Sequence, residues 1–312
     1  MTRYLVKRVL QAVLVLWGLA TVVFFVLHLI PGDPVRAVLG GRASDSTIAH
    51  VRDQLGLNRP LFEQYVGFLN DIIHGNLGTS LALNDQVGHI LSQRLLPSVL
   101  LIAYGMLFAV LIGAPLGIWA ALRPNRPADH VIRFGTTFLF GMPTFWLALV
   151  LALVLALGLG WFPVSGYQSG LGGMLRTLTL PALTLGLSLV VIVTRTLRSN
   201  LIEVLKSEYI EAARSRGLSE RRVVAKHALR NAAMPTLTIL STIVGYLIGS
   251  TVVLEQVFRI PGAGSLLVQS ILSRDYQTVQ AIALLSGLVV VAAGLGADLL
   301  QAVLDPRVRL AR

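Results

Sequence analysis

The stretch LLPSVLLIAYGMLFAVLIGAPLGIWAAL, residues 95–122, carries no charged side chain. It lies between Arg94 and Arg123, and its 28 residues would make about 42 Å of α-helix at 1.5 Å per residue. Crossing the ~30 Å hydrocarbon core of a bilayer takes about 20 apolar residues. A backbone in lipid must satisfy its own hydrogen bonds, and a helix does so. This run therefore reads as a membrane span.

Working outward, similar uncharged runs recur. They predict helices near 9–30, 98–122, 132–159, 177–197, 235–258 and 278–304. Pro143 and Pro181 are expected to kink the third and fourth or shift their ends. The first span reads as a retained anchor. Its apolar stretch is longer than the core of a cleavable signal, and Pro31-Gly32-Asp33-Pro34 follows instead of a small-residue cleavage site.

The whole composition agrees. Charged residues are 13% of the 312, about half the ~25% of soluble domains, and 54% are hydrophobic. That excludes a disordered chain and an ordinary cytosolic enzyme, and the lack of cysteine excludes a disulfide-stapled secreted domain. The net charge of +11 invites a nucleic-acid reading, but the chain is too apolar for a soluble basic domain, and no nucleic-acid partner is expected. The basic residues report topology instead. Of the 26 Lys and Arg, 18 fall in the alternate segments that precede helix 1, join helices 2–3 and 4–5, and follow helix 6. Both termini are thereby expected in the cytoplasm.

This divides the chain into residues 1–30, an external segment at 31–97, and a five-helix core at 98–312 with a cytoplasmic loop at 198–234. The 67-residue external segment looks helical and partly amphipathic from Ser46 to Ile73. It is either a folded cap that meets something outside or a passive loop.

The cytoplasmic loop contains SEYIEAARSRGLSERRVVAKHALRNAAMP, residues 207–235. Glu208 to Arg216 holds good helix formers, with acids early and Arg late, matching the helix dipole. Gly217 suits the position just past a helix end, and Ser219 suits the N-cap of a second short helix toward Leu229. Ala212 and Ala213 would let a partner come close, with Tyr209, Ile210 and Leu218 as apolar anchors. Two readings stand side by side: a helix seated in a partner's groove, and a solvated basic loop on anionic lipid.

Other chemistry is sparse. No Gly-x-x-x-x-Gly-Lys-Ser/Thr is present, and the three lysines sit in no glycine-rich loop. There is no His-Glu-x-x-His, and the six histidines are scattered and read as structural. No catalytic residue, metal site or cofactor is expected within the chain. Asp298 and Glu255 are the acids nearest the apolar spans, open to a proton-relay role or to packing and pairing. Gly105, Ala109, Gly113, Gly117 and Ala121 recur every four residues in the second helix, and Gly245 and Gly249 repeat this in the fifth. Such stripes let helices approach closely, in a moving or a static interface.

Glu211-Ala212-Ala213, Gly217, His227-Ala228-Leu229-Arg230-Asn231 and Pro235 together resemble the EAA loop of ABC importer permeases. More of the chain, in order, is similar to the B-type permease of dipeptide, oligopeptide and nickel importers. The similarity covers Arg3-Tyr4, Pro31 to Pro34, Leu55 to Pro60 with Gln64-Tyr65, Gly75 to Ser80, Phe145-Trp146, and Trp161 to Gly166. It continues through Leu180 to Leu183, Arg195 to Ser199, Glu255 to Phe258, Pro261 to Gly264 and Arg274 to Tyr276. Two departures stand out: Leu100 and Leu101 where relatives often carry an acid, and Gln277 where they often carry Pro.

The resemblance implies an all-α integral membrane protein with six transmembrane helices in the type I ABC importer permease fold. It implies a heterodimer with a C-type permease, two ATPase subunits or a fused ATPase, and an external substrate-binding protein. ATP and Mg would be bound by the partners, and this chain would move di- or oligopeptides across a bacterial plasma membrane by alternating access. Glu211, Ala212, Ala213 and Gly217 would form the surface coupled to the ATPase. Substrate-contacting residues stay unassigned, and nickel stays open beside peptide. The main rival is an ion-coupled secondary transporter or channel without ATPase partners.

Overall fold

The computed structural model describes residues 2–29, 35–36, 44–54 and 56–304. Pro31 to Pro34, Leu55, the last eight residues and the side chain of Asp298 lie outside the described residues. The expectations placed on them end there.

The elements are helical apart from one short hairpin. In order they are α1 (Thr2–His28), α2 (Asp45–Gln54), α3 (Leu61–Ile73), β1 (Thr79–Ser80), β2 (Asp85–Gln86) and α4 (Val87–Leu122). Then come α5 (Pro127–Gly141), α6 (Thr144–Leu151) with a π-helical continuation at Ala152–Gly158, α7 (Leu171–Leu205) and α8 (Glu208–Ser215). The chain closes with α9 (Glu220–Arg222), a π-helical Val223–Ala228, α10 (Leu229–Phe258), α11 (Ala263–Leu272) and α12 (Tyr276–Leu304). Among the described residues, five helices are long and apolar enough to cross a bilayer, and a bent helix pair makes a sixth candidate span.

The third expected span, 132–159, is not one helix. It is two legs, Pro127–Gly141 and Thr144–Gly158, bent by 104°. The cause is local. Pro143 has no amide to donate, and it drives Met142 to an extended conformation (φ −82°, ψ 130°). Each 15-residue leg is about 22 Å long, too short to cross the hydrocarbon alone. Pro181 has no such effect, and α7 runs through it unbroken.

The chain falls into two compact units. The first joins Met1–Pro97 with Pro261–Ala292, a stretch the sequence division grouped with the core. Here α3 packs on the C-terminal end of α1. The hairpin pairs Thr79 with Gln86 and Ser80 with Asp85. The buried Ser80 hydroxyl donates to Asp275 Oδ2 at 2.5 Å, and the Thr278 hydroxyl donates to the same oxygen at 2.7 Å. Asp275 thus caps α12 and holds the hairpin. Val87, Ile90, Leu91, Leu266, Ala281 and Ile282 form the apolar core beneath. Residues 87–97 form the first turns of α4 and belong to this unit.

The second unit joins Ser98–Ile260 with Ala293–Arg312. Its centre is α7, in which 72% of the most apolar stretch is buried. Leu178, Leu185, Leu189 and Val193 meet Leu101 and Ala109 of α4 and Leu240, Leu247, Leu254 and Phe258 of α10. The small-residue stripe of α4 makes this possible. A Cβ on Gly113 would stand 2.8 Å from Val193 Cβ, and one on Gly117 would stand 2.9 Å from the Thr194 carbonyl oxygen. The Thr194 hydroxyl donates across the seam to the Gly113 carbonyl at 3.1 Å. In α10 the matching stripe is different: a Cβ on Gly249 meets nothing within 4 Å.

Gly117→Ala should therefore destabilise by about 1–3 kcal/mol through overpacking against backbone. Gly249→Ala should be neutral or stabilise by up to about 1 kcal/mol through helix propensity. Thermal unfolding in detergent compares the two directly.

Candidate functional site

The site begins with residues 206–218. Only Lys206 and Ser207 separate α7 from α8. Ser207 is extended (φ −77°, ψ 148°), the backbone of an N-cap residue. Its hydroxyl turns back and donates to the Val204 carbonyl at 2.6 Å, so it ties down the end of α7. Its own carbonyl accepts from the amides of Ile210 and Glu211 at 3.0 and 3.2 Å. Glu208 and Glu211 occupy the first turn and Arg214 the last, the order that favours the helix dipole.

The other end is closed by Gly217 at φ +78°. Its amide donates to Arg214 O at 2.9 Å, and the Leu218 amide donates to Ala213 O at 3.4 Å. This is a Schellman closure, which needs a left-handed residue where Gly217 stands. Arg214 clasps the far side of the turn, donating from Nε and Nη2 to Glu220 at 2.6 and 3.3 Å. That hydrogen bonding raises the Arg214 pKa above its ordinary value. Both groups are well exposed, so the pair adds little to stability.

The faces of α8 differ sharply. Ile210 is fully buried, and Ala213, one turn on, is 8% exposed. They join Ala121 of α4, Leu197 and Leu201 of α7, and Val223, Ala228 and Ala232 that lead into α10. Leu218 packs on the same cluster. Glu208, Tyr209, Glu211, Ala212, Ser215 and Arg216 face outward. The sequence-derived set therefore divides. Glu211, Ala212 and Gly217 are exposed, while Ala213 faces its own chain. Ile210 and Leu218 likewise anchor the helix internally and are not offered to a partner. The i, i+3 spacing of two apolar side chains in an otherwise polar helix explains the burial.

Other residues complete the site, of which Asp129 had not been singled out. Asp129, fully buried near the start of α5, accepts two hydrogen bonds from Arg198 of α7, at 2.6 and 2.5 Å. It also accepts the Asn125 amide at 2.9 Å. This bidentate pair pins the α4–α5 turn to α7. Pro127 at the first helical turn with an acid two residues on is a legible helix-start signal, but the pairing with Arg198 spans 69 positions and leaves none. Asn231 donates to the Tyr209 hydroxyl at 2.8 Å. Ser219 sits at an N-cap position, but its hydroxyl makes no capping bond, and the segment it opens is not a separate short helix. It continues through the π-helical 223–228 into α10, 39 residues from Glu220 to Phe258.

Farther along α10, Glu255 is fully buried, and the Ser98 hydroxyl donates to its Oε1 at 2.6 Å. The Gly166 amide, ending the Trp161–Gly166 stretch, donates to the Phe258 carbonyl at 2.8 Å. Glu255 is thus an anchored group in a packed wall.

These features define a polytopic helical membrane protein with one short helix bolted across three helix ends. Residues 113–310 match the family described as binding-protein-dependent transport system inner membrane component, and residues 1–100 match its N-terminal domain. The chain belongs to this family, and its fold is that of a type I ABC importer permease. It is 34% identical over 314 residues to the oligopeptide transport system permease protein AppB of Bacillus subtilis, spanning 99% of both chains. It is 38% identical over 309 residues to the glutathione transport system permease protein GsiC of Salmonella choleraesuis. The Escherichia coli counterpart is 36% identical over 309 residues, and 99% of each chain is covered in both cases. The chain is a permease of an ABC import system, and the ion-coupled alternative is set aside.

Two outcomes follow. Asp129→Ala should cost about 3–5 kcal/mol, because it strands a largely buried Arg198, as read by thermal unfolding. Gly217→Val has room for its side chain but not for its backbone conformation, a strain of about 1–3 kcal/mol. Gly217→Asn tolerates positive φ and should retain more transport than Gly217→Val in an uptake assay.

Proposed function

We propose that this permease imports di- or oligopeptides across a bacterial plasma membrane, with α8 as the helix that couples it to an ATPase. The observation that carries the reading is the two-faced mounting of α8. Its inner face is locked to the ends of α4, α7 and α10, and its outer face is bare. A push on the outer face is delivered to three helices together. The peptide reading is supported by the Bacillus relative, an oligopeptide permease, and by the glutathione permeases, since glutathione is itself a small peptide. Family membership supports a substrate-binding protein and an ATPase as partners.

In this scheme the chain pairs with a C-type permease, and two ATPase subunits or one fused ATPase hold ATP and Mg. The distribution of basic residues supports placing α8 and both termini in the cytoplasm. The binding protein delivers substrate on the opposite side. ATP binding draws the coupling helices together and opens the pathway outward, and hydrolysis resets it. Each partner drives the cycle only by its different affinity for the two states. The permease makes and breaks no covalent bond.

A photocrosslinker at position 212, on the exposed face, tests the assignment in native membranes. Capture of an ATPase carrying a P-loop is the expected result. Capture of lipid alone, with the neighbouring transport genes expressed, contradicts it.

A further inference from the structure

The helix α3 presents an apolar stripe that nothing among the described residues of its own unit covers. Phe62 is 76% exposed and Ile73 is 81% exposed, with Val66 between them, also exposed. At 100° per residue these three fall within a 40° arc. Asn70, Glu63, Gly67 and Asp71 occupy the next 100°, all exposed. The remaining face is packed on α1. Tyr65 stacks on Phe25 and meets Phe24 edge-on, and Phe68 lies against Phe24. The Thr21 hydroxyl donates to the Trp17 carbonyl at 2.8 Å, which leaves it to accept from the Tyr65 hydroxyl at 2.7 Å. His28 meets Gln64 at 3.2 Å.

These contacts fix a depth. The apolar span of α1 runs from Val6 to His28, 23 residues or about 34 Å. Centred on a ~30 Å hydrocarbon core, it overhangs by about 2 Å at each end. Thr21 lies seven residues, about 10 Å, before His28. The α3 residue bonded to Thr21 therefore stands against a part of α1 about 8 Å inside the hydrocarbon edge. A neighbouring face of α1 is equally bare: Val22, Val26 and Leu29 are all exposed apolar side chains. The stripe continues that lipid-facing surface.

We propose that α3 lies in the membrane interface, with Phe62, Val66 and Ile73 among the acyl chains and Glu63, Gly67 and Asp71 toward water. Amphipathic helices of this kind bury their apolar face about 5–10 Å into the headgroup and acyl boundary. The segment after α1 would then brace that helix at a fixed depth, held partly by lipid.

The absence of cysteine in the chain makes the test clean. Single substitutions Phe62→Cys, Val66→Cys, Ile73→Cys, Gly67→Cys and Asp71→Cys all fall on exposed positions, and Gly67 has open space for a side chain. The full chain is reconstituted in phosphatidylethanolamine–phosphatidylglycerol vesicles, and each thiol is reacted with a membrane-impermeant maleimide. In parallel, each is labelled with bimane beside doxyl-labelled lipid. The expected result is labelling at least about tenfold slower at 62, 66 and 73 than at 67 and 71, with lipid quenching confined to the first three. Equal, fast labelling at all five positions overturns the proposal. So does protection of 62, 66 and 73 that appears only when a binding protein is added, since that makes the stripe a protein dock.

Discussion

Ile210, fully enclosed by Leu197, Leu201, Val223 and their neighbours, is the contact on which the working part of this permease depends. An eight-residue helix in water has almost no intrinsic stability, because nucleation is costly and its length is too short to repay it. What holds α8 is the apolar seat under Ile210 and Ala213, worth about 1.5–3 kcal/mol for the isoleucine alone. Backbone closures at Ser207 and Gly217 then fix its two ends. The same seat gathers the ends of α4, α7 and α10. A helix that would otherwise be a floppy loop becomes a handle on three spans.

The rest of the second unit makes that handle useful. Packed interiors transmit displacement because they are dense and resist compression. The glycine seam lets α4 and α7 approach until backbone meets side chain, and Thr194 bonds across it. The Asp129–Arg198 pair carries the linkage to α5 across a turn that has no apolar core of its own. In α10, by contrast, Gly249 and Tyr246 face open space. One side of the unit is closed on itself and another is left bare.

Much of this was legible in the sequence, for physical reasons. Uncharged runs longer than a bilayer must be helices there, so the spans at 98–122, 177–197 and 235–258 all lie inside observed helices. Gly217 could be read because positive φ leaves few other choices. The resemblance carried by Glu211-Ala212-Ala213 pointed to the family without showing which face of the helix is free. Ala213 is the instructive case: a small residue is equally suited to a tight internal seat and to a close partner, and only the packed cluster distinguishes them. The break at Pro143 was signalled, but its 104° angle was not, because a proline marks where a helix stops and not the direction in which the next one leaves. The pairing of Asp129 with Arg198 joins residues 69 positions apart and leaves no local pattern.

Seated in this way, α8 should move as one body with the ends of α4 and α7. Distances between spin labels at Ser215→Cys and Leu122→Cys, both exposed positions within the second unit, test it directly in the assembled transporter. This distance is expected to stay within about 2 Å through ATP binding and hydrolysis, while the distance from Ser215→Cys to a label on the proposed partner permease changes. A change within the chain of a full helical turn, about 5 Å, with the distance between subunits constant, would contradict it.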